Sequence, residues 1–150
     1  MKLTFEGCIE MIATGHQQAQ EEVGRPISVA VVEDHRDLIA FGRMEGAPIR
    51  TIAIAVNKAF TAIYMSRNTH EFKQMLSREG MQANWYGDDR VTGVPGGLLI
   101  KNGDQIFGAV GVSGTVLTAE RNCPGVSRVS ATHRNTLYSG VLPEWGEDGL

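Results

Sequence analysis

Cysteine is scarce in this 150-residue chain, with two residues, Cys8 and Cys123, far apart. They make no CxxC pair and no metal-ligand spacing, so neither a disulfide framework nor a spaced-cysteine zinc site is expected, and in a reducing compartment both thiols should be free. Lysine is scarce too. Of fourteen basic residues only Lys2, Lys58, Lys73 and Lys101 are lysine, the arginines are scattered, and the formal net charge is −3. The basic stripe that follows a phosphate backbone is missing, so nucleic acid is not an expected partner. No apolar run approaches the roughly 20 residues that span a bilayer. The opening Met1-Lys-Leu-Thr-Phe-Glu6 lacks the apolar core and small-residue cleavage site of a secretory signal. A cytoplasmic protein with no membrane partner is the expectation.

Several catalytic signatures are absent as well. Gly108, Gly111 and Gly114 recur every third residue and end an apolar run, which is not the GxGxxG of a dinucleotide site. Ser113 sits in Gly111-Val-Ser-Gly114, but Thr115 holds the place where a nucleophile elbow needs its second glycine. There is no GxxxxGK[ST]. His16, His35, His70 and His133 never fall at HxxxH spacing, and no metal site is expected.

What is present reads as one globular domain over residues 1–150, with 42% hydrophobic and 21% charged residues. Phe5, Cys8, Ile9, Ile12, Ala19 and Val23 recur at helical steps, Thr4 can cap the start, and Gly24 and Pro26 stop the run. Ile27–Glu33 and Leu38–Arg43 are strand-length runs around a polar turn, which predicts a hairpin. A helix over 49–66 follows, then a short one from a Thr69 cap to Glu79 with Phe72, Met75 and Leu76 inward. Residues 81–97 read as a long loop that folds over something. Asn102-Gly103 between apolar runs is a strong hairpin signal, joining 97–101 to 105–113. Pro124-Gly125 interrupts any closing helix over 115–135, and the tail containing Trp145 is acidic. Locally paired strands with helices packed on them predict an α+β domain with an antiparallel sheet.

The helix over 49–66 reads as apolar on two sides. Ile52, Ala55, Val56, Ala59, Phe60 and Ile63 form the stripe expected to meet the sheet; Ile54, Lys58, Thr61 and Met65 lie opposite. A second cover, either a ligand or another subunit, is implied. Lys58 would then sit among apolar neighbours, where an ammonium needs an anion or gives up its proton. A lysine snorkelling at the rim of an ordinary helix fits the same pattern.

The order of segments resembles a known family. Ser28-Val-Ala-Val-Val-Glu33, Leu38-Ile-Ala-Phe-Gly-Arg43-Met-Glu-Gly-Ala47, Ala55-Val-Asn-Lys58-Ala-Phe-Thr61-Ala62, Val94-Pro-Gly-Gly-Leu-Leu-Ile100 and Gly108-Ala-Val-Gly-Val-Ser-Gly114 stand in register with the motifs of the GlcG/HbpS-like proteins. The likeness covers a core from about residue 4 to 120 and leaves 121–150 as a divergent segment. Glu33 and Glu45 replace the usual aspartates, and Leu99 replaces a proline. The resemblance implies an antiparallel sheet flanked by helices, assembled as a dimer or higher homo-oligomer. It also implies small-molecule binding, since the family includes haem-binding sensors and carriers.

Haem or a related tetrapyrrole is therefore the first expectation. Arg43 and Lys58 are placed to pair with propionates, Met44, Met65, Trp85 and Tyr86 are expected near the pocket, and His70 and His133 are available to iron by side-chain chemistry alone. The candidate ligand contacts are Arg43, Glu45, Lys58, Thr61, Gly96, Gly97 and Ser113. The alternative is a cofactor-free isomerase, lyase or hydrolase acting on a small organic acid. There Arg43 would clamp a carboxylate, Glu45 or Glu33 would move a proton, and Lys58 would act as acid, base or stabiliser. Arg43, Glu45 and Lys58 also read as a structural ion-pair cluster at the turn, and an accessory subunit with no ligand is a third possibility.

Overall fold

The structure is a computed structural model that describes residues 2–114. Helix α1 (Phe5–Gln18) begins at Thr4, whose hydroxyl accepts the Gly7 N–H at 3.2 Å. It runs into a wider turn over Ala19–Val23 that Gly24 ends at a left-handed φ of 66°. The buried side of α1 is Gly7, Cys8, Met11, Ile12 and Gly15, whereas Phe5 and Ile9 are exposed. The expected stripe was thus rotated from the real one. Phe5 and Ile9 satisfy the spacing, but the sheet takes the narrower arc that includes the small Gly7 and Gly15.

Strands β1 (Ser28–Glu33), β2 (Leu38–Arg43), β3 (Gly97–Asn102) and β4 (Gln105–Ser113) form one antiparallel sheet in the order β2-β1-β4-β3. Both predicted hairpins are present. They are welded side by side through β1 and β4, with Val29 opposite Val112 and Val31 opposite Val110. Being central, β1 and β4 are buried on both faces, which is why they read as continuous apolar runs.

The two faces are covered differently. One carries Val29, Val31, Val110 and Val112 against Cys8, Met11 and Ile12 of α1. The other carries Val32 and Ala109 against Ala59 and Ala62 of α2 (Thr51–Met65). The small side chains here bring α2 close to the sheet, and they correct the two-sided reading of this helix. Its buried residues are Thr51, Ala55, Lys58, Ala59, Phe60, Thr61 and Ala62, while Ile52, Val56 and Ile63 are only half-buried. Lys58 lies within the arc that meets the sheet and not opposite to it. Ala55, Ala59 and Phe60 of the expected stripe are buried, Ile63 packs at the edge of the sheet contact, and Ile52 and Val56 flank it.

Helix α3 (Thr69–Glu79) seals the outer edge of β3. Asn68, not Thr69, precedes its first turn, and the Glu71 carboxylate accepts the Asn68 N–H at 3.1 Å. Asn68 Oδ1 accepts the Leu99 N–H at 2.9 Å, and the buried Thr69 hydroxyl accepts the Gly97 N–H at 2.7 Å. Main-chain donors that an edge strand would expose are thereby used.

The loop after α3 folds back as expected. Val91 joins Phe60, Phe72, Met75 and Leu76 in a separate apolar cluster, with Tyr86 set edge-on to Phe72. No helix among the described residues is long and apolar enough to cross a membrane. The expected break at Pro124-Gly125, together with Cys123, His133 and Trp145, lies outside the described residues.

Candidate functional site

The end of β4, the start of α2, the turn into β1 and the returning loop enclose a cavity of about 520 Å³. Its charged lining is Arg25, Arg50 and Lys58, and none of its described lining residues is acidic. Thr51, Asn57, Thr92 and Ser113 add neutral polar groups, and Ile54, Val94, Pro26 and Pro48 make the apolar walls. The volume falls in the range of ordinary small-molecule sites, roughly 300–1,000 Å³.

Lys58 is the buried cation of this set, at 3% exposure. Its ammonium donates to the Val112 carbonyl at 2.8 Å. Gly96 makes room for it, since a Cβ there would stand 3.0 Å from Nζ and 2.9 Å from the Val112 oxygen. Gly96 also has φ +123°, a conformation that L side chains rarely adopt. Its carbonyl accepts the Val112 N–H at 2.9 Å, so Gly96, Val112 and Lys58 form one unit.

Hydrogen bonds also fix the walls. Thr51 gives its only hydroxyl proton to the Pro48 carbonyl at 2.6 Å, so Ser28, 2.8 Å away, must be the donor to Thr51. That chain ties the segment before α2 to β1 and places Arg50. Thr61 donates to the Asn57 carbonyl at 2.7 Å and accepts the Thr92 N–H at 3.0 Å, which pins the loop bearing Thr92 and Val94. Further along the loop the Arg90 guanidinium lies 3.9 Å from the Phe60 ring centre and grips Asp88 through two bonds of 3.0 and 2.9 Å. Those bonds hold the Asp88 carboxyl down at about 2.

Of the seven candidate contacts, Lys58 and Ser113 line the cavity, Gly96 lies against Lys58, and Thr61 acts on the loop wall. Gly97 offers its N–H to Thr69. Arg43 and Glu45 do not line the cavity. The Arg43 guanidinium donates to the Ala47 carbonyl at 2.9 Å and so braces the turn, and the two residues form no ion pair with each other. Met44, Met65, Trp85, Tyr86 and His70 are also absent from the lining. Met44 accepts the Ile27 N–H, Met65 and Tyr86 pack against the apolar cluster of α2 and α3, and His70 meets Gln74. Arg25, Arg50 and Asn57 were missed. Arg50, Ile54 and Lys58 stand at steps of four, which places them on one helix face and was the available signal.

Residues 3–123 match the family model described as haem degrading protein HbpS-like. The chain belongs to the HbpS-like family. The GlcG protein of Escherichia coli K12 is 34% identical over 103 residues, covering 69% of this chain and 75% of its own length. The HbpS-like fold is shared with a solved PduOC complex with haem, at TM-score 0.75 and 21% identity over 90% of this chain and 96% of that one. It is shared also with HbpS itself, at TM-score 0.73 and 21% identity over 93% of this chain and 92% of that one.

Proposed function

We propose that this protein binds haem or a related tetrapyrrole in the cavity between α2 and β4. The observation that carries the reading is three cationic side chains with no acidic residue among the described lining. Haem is an apolar disc with two propionates. The walls of Ile54, Val94, Pro26 and Pro48 suit its body, and Arg25, Arg50 and Lys58 suit its carboxylates. Iron would supply redox or gas-binding chemistry when haem is bound. No imidazole, thiol or thioether is among the described lining residues, and those residues would supply charge and shape around the macrocycle. The family description and the PduOC–haem complex support the same ligand class.

The test is a haemin titration followed in the Soret band, on the wild type and on Arg50→Ala, Lys58→Ala and Arg43→Ala. Saturation at a fixed haem-to-subunit ratio, weakened by the first two substitutions and not the third, is the expected result. A shift that never saturates, or that is equal in all four proteins, overturns the reading.

A second reading is favoured by the burial of Lys58 beside Asn57 and Ser113. A cofactor-free enzyme for a small organic acid would use that ammonium as acid, base or stabiliser, with Arg43 and Glu45 acting from the neighbouring turn. We also infer self-association, which the exposed Phe5 and Ile9 of α1 and Ile49 before α2 support. Light scattering at the monomer mass would refute it.

A further inference from the structure

We propose that the outer edge of β2 is a contact between two copies of this chain, paired antiparallel about a two-fold axis at Phe41. The proposal rests on the self-association inferred above and names its surface. β2 ends the sheet, and among the described residues no strand pairs with its outer side. The opposite edge is treated differently, because Asn68 and Thr69 at the start of α3 take the Leu99 and Gly97 N–H groups of β3. β2 has neither a proline nor a lysine to guard it, and its Leu38 is 51% exposed.

The hydrogen-bond phase fixes what that edge offers. The Met44 N–H donates to the Ile27 carbonyl and the Glu33 N–H to the Asp37 carbonyl, both at 2.9 Å. Between these points Ala40 pairs with Val31 and Leu38 with Val32, so Ile39 is an extra residue, a bulge. Counting alternate residues from Met44 turns the main-chain groups of Phe41 and Arg43 outward, and counting from Asp37 turns out those of Leu38. An axis at Phe41 matches all three. Phe41 of one copy meets Phe41 of the other, and Leu38 meets Arg43 on both sides of the axis. Two residues further on, the same register sets Arg36 against Glu45, opposite charges that are both exposed, and does so twice.

The helix above the edge is built for the same partner. Phe5, Ile9, Ile12 and His16 follow at steps of four, three and four, along one side of α1. Ile12 and His16 lean on β2, where a Cβ on Gly42 would stand 2.6 Å from Ile12 Cγ2 and 2.9 Å from His16 Cε1. The exposed Phe5 and Ile9 therefore face the side on which β2 is open. A two-fold axis perpendicular to the sheet keeps both α1 helices on one face. With α1 lying over β1 and β2, the two helices would stand about 10 Å apart, a normal packing distance. Phe5 and Ile9 then meet their own copies, as an isologous contact requires.

The test is sedimentation velocity over a range of concentrations, with circular dichroism to check each fold. Leu38→Lys puts a cation against Arg43 twice, and Leu38→Glu puts an anion there. The Glu variant should assemble at least about tenfold more tightly than the Lys variant, although both lose the same leucine. Glu45→Arg should also weaken assembly, and adding Arg36→Glu should restore it. Ile49→Lys, a change at an exposed site away from the edge, should leave assembly as in the wild type.

Equal assembly of the Lys and Glu variants overturns the pairing, and so does a charge swap that fails to restore what Glu45→Arg removed. Assembly that survives every change at 38 and 45 but is lost in Ile49→Lys overturns the β2 contact and leaves self-association standing. A wild type that stays at the monomer mass overturns both.

Discussion

Gly111 of β4 and Ala55 of α2 touch through their backbones: a Cβ on Gly111 would overlap the Ala55 carbonyl and lie 2.7 Å from the Ala59 nitrogen. Helix and sheet therefore meet main chain to main chain along a seam of Ala55, Ala59, Gly111 and Ala109. Neither side has a flexible group that could give way. Gly111→Ala should accordingly destabilise by about 3 kcal/mol or more, at the upper end of overpacking effects. In thermal unfolding that is a fall of roughly 6–12 °C for a chain this size. An unchanged midpoint would mean that the seam is looser than this.

Thr69 ties α3 to the edge strand. Its hydroxyl takes the Gly97 N–H at 2.7 Å in a buried place, so Thr69→Val keeps the shape and strands a buried donor. The expected loss is about 1–3 kcal/mol. Thr69→Ser, which retains the hydroxyl, should recover most of it. Chemical denaturation of the two variants side by side distinguishes a lost hydrogen bond from a lost methyl group.

The clasp between Asp88 and Arg90 should respond to acid. The Arg90 guanidinium holds the Asp88 carboxyl at about 2, below the usual 3.8. A folded value below the unfolded one means that the unfolded chain takes up the proton first as pH falls. The contribution is thus complete above about pH 4 and lost between about pH 4 and 2. Melting temperatures of wild type and Asp88→Asn should differ at neutral pH and converge near pH 2. Curves that stay parallel to the lowest pH would refute the clasp.

Cys8 is fully buried, and burial pushes its thiol up to about 11. The reactive thiolate is therefore rare at pH 8, and the sulfur is shielded. In a Cys123→Ser background, Cys8 should resist a disulfide reagent in the native protein and react at once in denaturant. Rapid native labelling would show that α1 opens readily.

Much of this fold could be read from local sequence. Asn102-Gly103 marked one hairpin, and the strand bounds Leu38–Arg43 and Gln105–Ser113 followed from runs of β-forming residues. The pairing of β1 with β4 could not be read this way, because no local pattern says which apolar run lies beside which. The α2 face was misjudged for a related reason. Periodicity counts hydrophobicity, whereas the sheet chose the arc of small residues because Gly111 and Ala109 leave room only for backbone and methyl groups. That choice carried Lys58 inward. Arg25 joins the cavity from a turn after α1, and its approach to Arg50 and Lys58 depends on the same long-range pairing.

The backbone seam of α2 and β4 gives the cavity a division of labour. The Lys58 ammonium bonds a main-chain atom, the Val112 carbonyl, which no side-chain exchange removes, so that contact is a fixed datum of the site. Arg25, Arg50, Thr92 and Val94 hang from connecting segments and can be exchanged without disturbing it. Redesign for a new ligand should therefore begin with residues 46–50 and 92–94, keeping one anchored charge and recutting the opening around it.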